Sequence, residues 1–188
     1  MGATDQGVIG QSIRRKEDVR FLTGAGQYTD DVNFAHQTTG YFLRSPHAHA
    51  KIRSIELTKA RAAPGVVAIF TGADLTGVNG LPCGWLITGA DGKPMNEPPH
   101  PVLAQGKVRH VGDQVALVIA ETLHQAKDAA ELIDVDYEVL PAVVGCVEAL
   151  QPGAPQIHDQ APGNKCYTWA LGDKAAVDAA FAKAATVS

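Results

Sequence analysis

The sequence predicts an α+β fold, a mixed sheet of short strands with two helices packed on one side. Three observations carry that reading. Val135, Tyr137 and Val139 alternate with Asp134, Asp136 and Glu138, the period of two of a strand with one wet face. Val115-Ala116-Leu117-Val118-Ile119-Ala120 is an unbroken apolar run, as expected of a central strand. Between the two, Ala126, Ala129, Ala130 and Ile133 recur at helical spacing.

In chain order, residues 1–19 are polar and charged and read as an extended arm. Gly24-Ala25-Gly26, then Tyr28 and the Asp30-Asp31 pair, predict a tight turn leading into a short strand. Tyr41 to Arg44 and Ile52 to Leu57 are strand candidates separated by Pro46. Thr58 is placed to cap a helix over 58–63, which Pro64-Gly65 ends. Val66 to Phe70 is short and apolar enough for a buried strand.

From Gly72 to Ala104 glycines and prolines dissolve the pattern into a long excursion, and loops of that length usually carry function. Regularity returns at Lys107. Thr122 and Gln125 form a capping-box pair ahead of the alanine-rich helix, and Pro141 ends the strand after it. Prolines 152, 155 and 162 mark a connector, after which Asp173 caps a last helix to about Ala184, and a strand is expected to begin at Thr186-Val187-Ser188. The domain reading is an arm over 1–19, a body over 20–150, and a connector with helix over 151–188.

Composition narrows the function. With 188 residues the chain can bury one core, since domains cluster at roughly 100 to 150 residues. Hydrophobic residues at 45% and charged ones at 19% describe an ordinary folded protein. A formal charge of −4 leaves no footprint for nucleic acid, and no stretch approaches a membrane span. The three cysteines at 83, 146 and 166 lack zinc or disulfide-framework spacing, so the expectation is cytoplasmic.

Five blocks together resemble a known family: Arg20 to Asp31 (RFLTGAGQYTDD), Arg44 to Ile52 (RSPHAHAKI), Ala63 to Asp74 (APGVVAIFTGAD), Val108 to Asp136 (VRHVGDQVALVIAETLHQAKDAAELIDVD) and Tyr137 to Val143 (YEVLPAV). They look like the N-terminal α/β-hammerhead domain of the molybdopterin-binding large subunit of xanthine dehydrogenases, aldehyde oxidoreductases and aerobic carbon monoxide dehydrogenases. Gly163-Asn164 and Ala170 to Asp173 fit the bacterial three-subunit type.

The resemblance implies a hammerhead fold and, in the full subunit, a molybdopterin-type molybdenum cofactor. It also implies partner subunits carrying FAD and two-iron two-sulfur clusters, within a dimer of heterotrimers. The reaction implied is insertion of a water-derived oxygen into an aldehyde, an N-heterocycle or carbon monoxide. The family's cofactor loops and glutamate base belong beyond position 188, so no catalytic, cofactor-binding or metal residue is carried over to this chain.

The remaining constellations have plainer readings. Gly24-Ala25-Gly26 lacks the third glycine of a dinucleotide loop, where Thr29 stands, and reads as a structural turn. His47 and His49, two apart on an extended backbone, would share a face as metal ligands can, but no third ligand is nearby, and imidazoles held by backbone hydrogen bonds are the simpler account. Asp30 and Asp31 read as a turn cap and a solvated charge, and Asp134, Asp136 and Glu138 as a wet strand face. The alternative reading is a free-standing hammerhead-type binding or carrier module with no molybdenum chemistry, but Lys51, between Ala50 and Ile52, lacks the tight-turn setting of a carrier-module lysine.

Cys83, Trp85 and Leu86 carry the functional expectation. An indole and a thiol on a long glycine- and proline-rich loop need a covering surface. The loop either docks against absent domains and walls the path to molybdenum, or folds on its own domain.

Overall fold

The computed structural model describes residues 9–186. Residues 1–8 of the expected arm, and Val187 and Ser188 of the strand expected at Thr186-Val187-Ser188, lie outside the described residues. The chain divides into two units, Met1–Gln37 and Thr38–Ser188.

In the first unit, Asp18–Leu22 forms an unexpected short helix, α1, across the boundary between the expected arm over 1–19 and the body. Asp18 accepts from the Arg15 backbone N–H at 3.2 Å and side-chain Nε at 3.0 Å, and so starts the turn locally. The glycine turn follows, with the Ala25 N–H donating to Arg20 O at 2.9 Å. The strand expected next is instead a 3₁₀ turn, Thr29–Asp31. The Asp31 carboxylate accepts the Tyr28 N–H at 2.8 Å, which ties the backbone into a turn before it can extend. Phe21 and Tyr28 stack at 5.1 Å.

The second unit contains, in order, β1 (Thr39–Arg44), β2 (Ala50–Glu56), α2 (Thr58–Arg61), β3 (Val66–Thr71), β4 (Lys107–Val108), β5 (Gln114–Ala120), α3 (Leu123–Glu131), β6 (Asp134–Val139), α4 (Cys146–Ala149) and α5 (Lys174–Lys183). The class is α+β as expected. The strands, however, form two three-stranded antiparallel sheets, β1-β5-β3 and β4-β2-β6, in place of one mixed sheet. Two apolar sets account for the division. Val118, Ala116, Ala120 and Ile69 collect under α3, whereas Ala50, Val108, Val115 and Ala104 form a second cluster. Ile55 and Val135 border both.

Within the first sheet, Val118 lies opposite Tyr41 on one side and Ile69 on the other, so β5 is central and β1 and β3 are its outer strands. Burying each Val or Ile side chain contributes roughly 1.5–3 kcal/mol. Ala126, Ala129 and Ala130 are buried on the inner face of α3, and their small side chains bring the helix axis close to the sheet. Thr122 caps α3, accepting the Gln125 N–H at 3.3 Å. The Gln125 side chain accepts the Thr122 hydroxyl at 2.9 Å, so the box closes between side chains.

At α2 the cap expectation fails. Thr58 is already the first helical residue, Leu57 precedes it, and no side-chain cap bond forms. At α5 it holds, with Asp173 accepting the Ala176 N–H at 3.0 Å. All described residues of α5 are exposed.

Gly72 marks where the excursion leaves the sheet. A Cβ there would sit 2.2 Å from Ala104 O, so only glycine lets the outgoing and returning chain meet. No helix among the described residues is long and apolar enough to cross a membrane.

Candidate functional site

The excursion is built from two short pieces of backbone pairing. Met95 N–H donates to Ile87 O at 2.9 Å and Gly89 N–H to Lys93 O at 2.8 Å, which makes a hairpin around the Thr88–Pro94 bridge. The connector lies along that hairpin: Ala90 N–H donates to Thr168 O at 2.7 Å and Asn96 N–H to Cys166 O at 2.8 Å. Lower down, Leu81 N–H donates to His100 O at 2.8 Å, and a Cβ on Gly80 would strike that same carbonyl at 2.5 Å. Backbone bonds thus hold the arm in a fixed course.

On this arm stand the residues singled out in the sequence. The Cys83 N–H donates to Glu97 Oε1 at 3.2 Å, and its thiol lies 3.3 Å from Trp85 O. Trp85 is 81% exposed and Leu86 65%. Trp169 and Leu171, on the connector, are also exposed. The backbone pairing of the hairpin begins at Ile87, and Trp85 and Leu86 stand exposed just before it.

His47 and His49 are not brought together as ligands. They fall on the β1–β2 connection, not on a strand. The His47 ring meets Tyr137 edge-on at 4.9 Å, and His49 Nδ1 is 2.7 Å from Pro141 O. Burial pushes the Tyr137 hydroxyl above its ordinary range. Asp31 is the turn cap described above. Glu138 pairs with Lys51 at 3.3 Å and Arg53 at 3.4 Å on the wet face, and the Lys51 contact holds its carboxyl below the ordinary range. Lys51 therefore sits inside the second sheet, paired in register with Glu138 and Lys107.

Sequence reasoning missed one cluster. His100, Lys107, Arg109, His110, Asp113 and His158 converge on a cavity of about 200 Å³. No spacing announces it, because the residues come from the returning excursion, the β4–β5 connection and the connector.

Among the described residues no group of three or more His, Cys, Asp or Glu is arranged to hold a metal ion. The Gly24–Gly26 turn leads only into a one-turn 3₁₀ segment, too short to present a phosphate site.

The family model for the aldehyde oxidase and xanthine dehydrogenase a/b hammerhead domain matches residues 23–141. The carbon monoxide dehydrogenase large chain of Afipia carboxidovorans is 41% identical over 96% of this chain and 23% of its own length. The nicotine 6-hydroxylase large subunit of Paenarthrobacter nicotinovorans is 37% identical over 84% of this chain and 19% of its own. Among solved structures, a Cu,Mo-CO dehydrogenase in its carbon monoxide reduced state superposes with a TM-score of 0.71 at 37% identity, covering 94% of this chain and 23% of that one. The chain thus spans less than a quarter of the length of these relatives.

Proposed function

The chain belongs to the aldehyde oxidase and xanthine dehydrogenase α/β-hammerhead family, and from that membership we propose that it is the structural and docking domain of the large subunit of a molybdenum hydroxylase. On this reading the body over 20–150 carries the fold, and the segment over 151–188 leads toward cofactor-bearing domains. The full subunit would carry a molybdopterin-type cofactor, which supplies oxidative hydroxylation when bound. Partner subunits would carry FAD and iron–sulfur clusters in the cytoplasm.

Among the described residues no His, Cys, Asp or Glu cluster suits a metal ion and the Gly24–Gly26 turn opens no helix for a phosphate, so on this reading other domains of the subunit would hold the cofactor. Substrates named for the relatives differ, carbon monoxide for one and nicotine for another. The substrate class proposed is correspondingly broad: an aldehyde, an N-heterocycle or carbon monoxide.

One observation supports the docking role: Trp85 stands 81% exposed beside a hairpin whose backbone pairing begins at Ile87. Covering an indole contributes on the order of 1.5–3 kcal/mol. The test is Trp85→Ala in the intact complex. Expected are a lower yield of assembled enzyme, or a raised KM and altered substrate preference. Unchanged assembly, kinetics and preference would sink the docking reading.

A further inference from the structure

Beside the histidine-rich cavity lies a second one, of about 340 Å³, whose apolar lining includes Val143, Ala149, Ile157 and Ala161 together with Pro98 and Pro99. Pro99, His100 and His158 belong to the walls of both. The pair therefore has one charged end and one apolar end.

At the charged end two permanent cations, Lys107 and Arg109, face one carboxylate, Asp113. Asp113 is already engaged: it accepts the Arg109 backbone N–H at 2.9 Å and lies 3.7 Å from His110 Nδ1. Lys107 Nζ is 3.6 Å from Asp159. Arg109 Nη1 reaches Lys107 O at 3.5 Å, but Arg109 Nε is buried with no hydrogen-bond partner among the described residues. His158 Nδ1 is in the same condition. Leaving a buried polar atom unmatched costs about 1–3 kcal/mol: Arg109 Nε, always a donor, calls for an acceptor, and His158 Nδ1 for a donor or an acceptor according to its tautomer. A guanidinium edge matches a carboxylate in shape and charge.

The apolar end is held open by Asn164. Its side-chain amide donates to Ala149 O at 3.1 Å and Pro155 O at 2.9 Å, and its carbonyl accepts the Ile157 N–H at 2.9 Å. Burial, then the charge of Arg109, holds the His158 imidazole below its ordinary range. It stands between the two ends as a neutral group able to donate or accept.

We propose that these adjoining cavities bind a small organic monocarboxylate, its carboxylate on Arg109 and Lys107 and its apolar body against Ala149, Ile157 and Ala161. A monoanion fits better than phosphate, because Asp113 and Asp159 leave little positive charge to spare and the second cavity offers a dianion only Asn164, the Cys166 thiol and the shared histidines.

Benzoate is the probe, and benzyl alcohol the neutral control, each followed on the full-length protein by calorimetry and saturation-transfer NMR. Benzoate should bind measurably and the alcohol at least tenfold more weakly, the ratio expected for loss of one charge-assisted hydrogen bond. Arg109→Gln should weaken benzoate by about tenfold or more. Ala149→Phe should fill the apolar end and weaken benzoate while leaving acetate unchanged. Where Arg109→Gln does not fold, Lys107→Met is measured with the same expectation. Absence of benzoate binding, equal binding of the alcohol, or an unchanged affinity in the folded charge variant would each overturn the site.

Discussion

At the end of β3 a single carboxylate settles where the strand stops. Asp74 Oδ2 accepts both the Thr71 N–H at 2.7 Å and the Thr71 hydroxyl at 2.9 Å, and these bonds hold the Asp74 carboxyl below its ordinary value. His158 shows the opposite balance for a base. Its folded-state protonation is weakened, chiefly by burial, relative to the ordinary histidine value of 6.5. Below that value the unfolded chain binds a proton that the folded chain resists, so stability is full above it and declines as the pH falls through it. His158→Gln should flatten that decline. Urea unfolding at about pH 7.5 and about pH 5.5 measures it, and an equal loss on acidification in both proteins would exclude His158 as its source.

Among the elements, α3 and the sheet beneath it show most directly how pattern became structure. Alanines at helical spacing announced a closely packed helix, and Ala126 and Ala129 are fully buried. Ala129→Leu should therefore destabilise the protein by about 1–3 kcal/mol through overpacking, read as a lowered unfolding midpoint with unchanged slope. The strands of residues 115–120 and 135–139 were legible for the same reason, since periodicity reports burial. What periodicity does not report is which strand pairs with which. One mixed sheet was a fair inference from runs of short strands, but β1 and β3 pair only with β5, and β4 and β6 only with β2, which makes two sheets. Local side-chain bonds were equally opaque: Asp31 makes a turn where Tyr28 and its neighbours suggested a strand. The charge-lined cavity escaped notice because no sequence window contains both His100 and His158.

For the molecule as a whole, the family was readable from five blocks in register, whereas the course of the excursion was not. Its hairpin and the strip of connector beside it are held by main-chain bonds, which any sequence can make and none advertises. Main-chain bonds run from the excursion to the connector, while Trp85 and Leu86 are exposed, and the proposed docking rests on that exposure. Cys83 offers a readout, being exposed and free on the same arm. Its thiol should label with maleimide far more slowly in the assembled enzyme than after partial unfolding, and equal rates would place the arm in solvent.

The outer strands of the first sheet, β1 and β3, each carry main-chain amides and carbonyls along the side facing away from β5. Such a rim is a template on which another extended peptide can be laid. Produced without whatever normally shields those rims, the polypeptide has a built-in route to self-association, and its solubility becomes a measure of how well they are guarded.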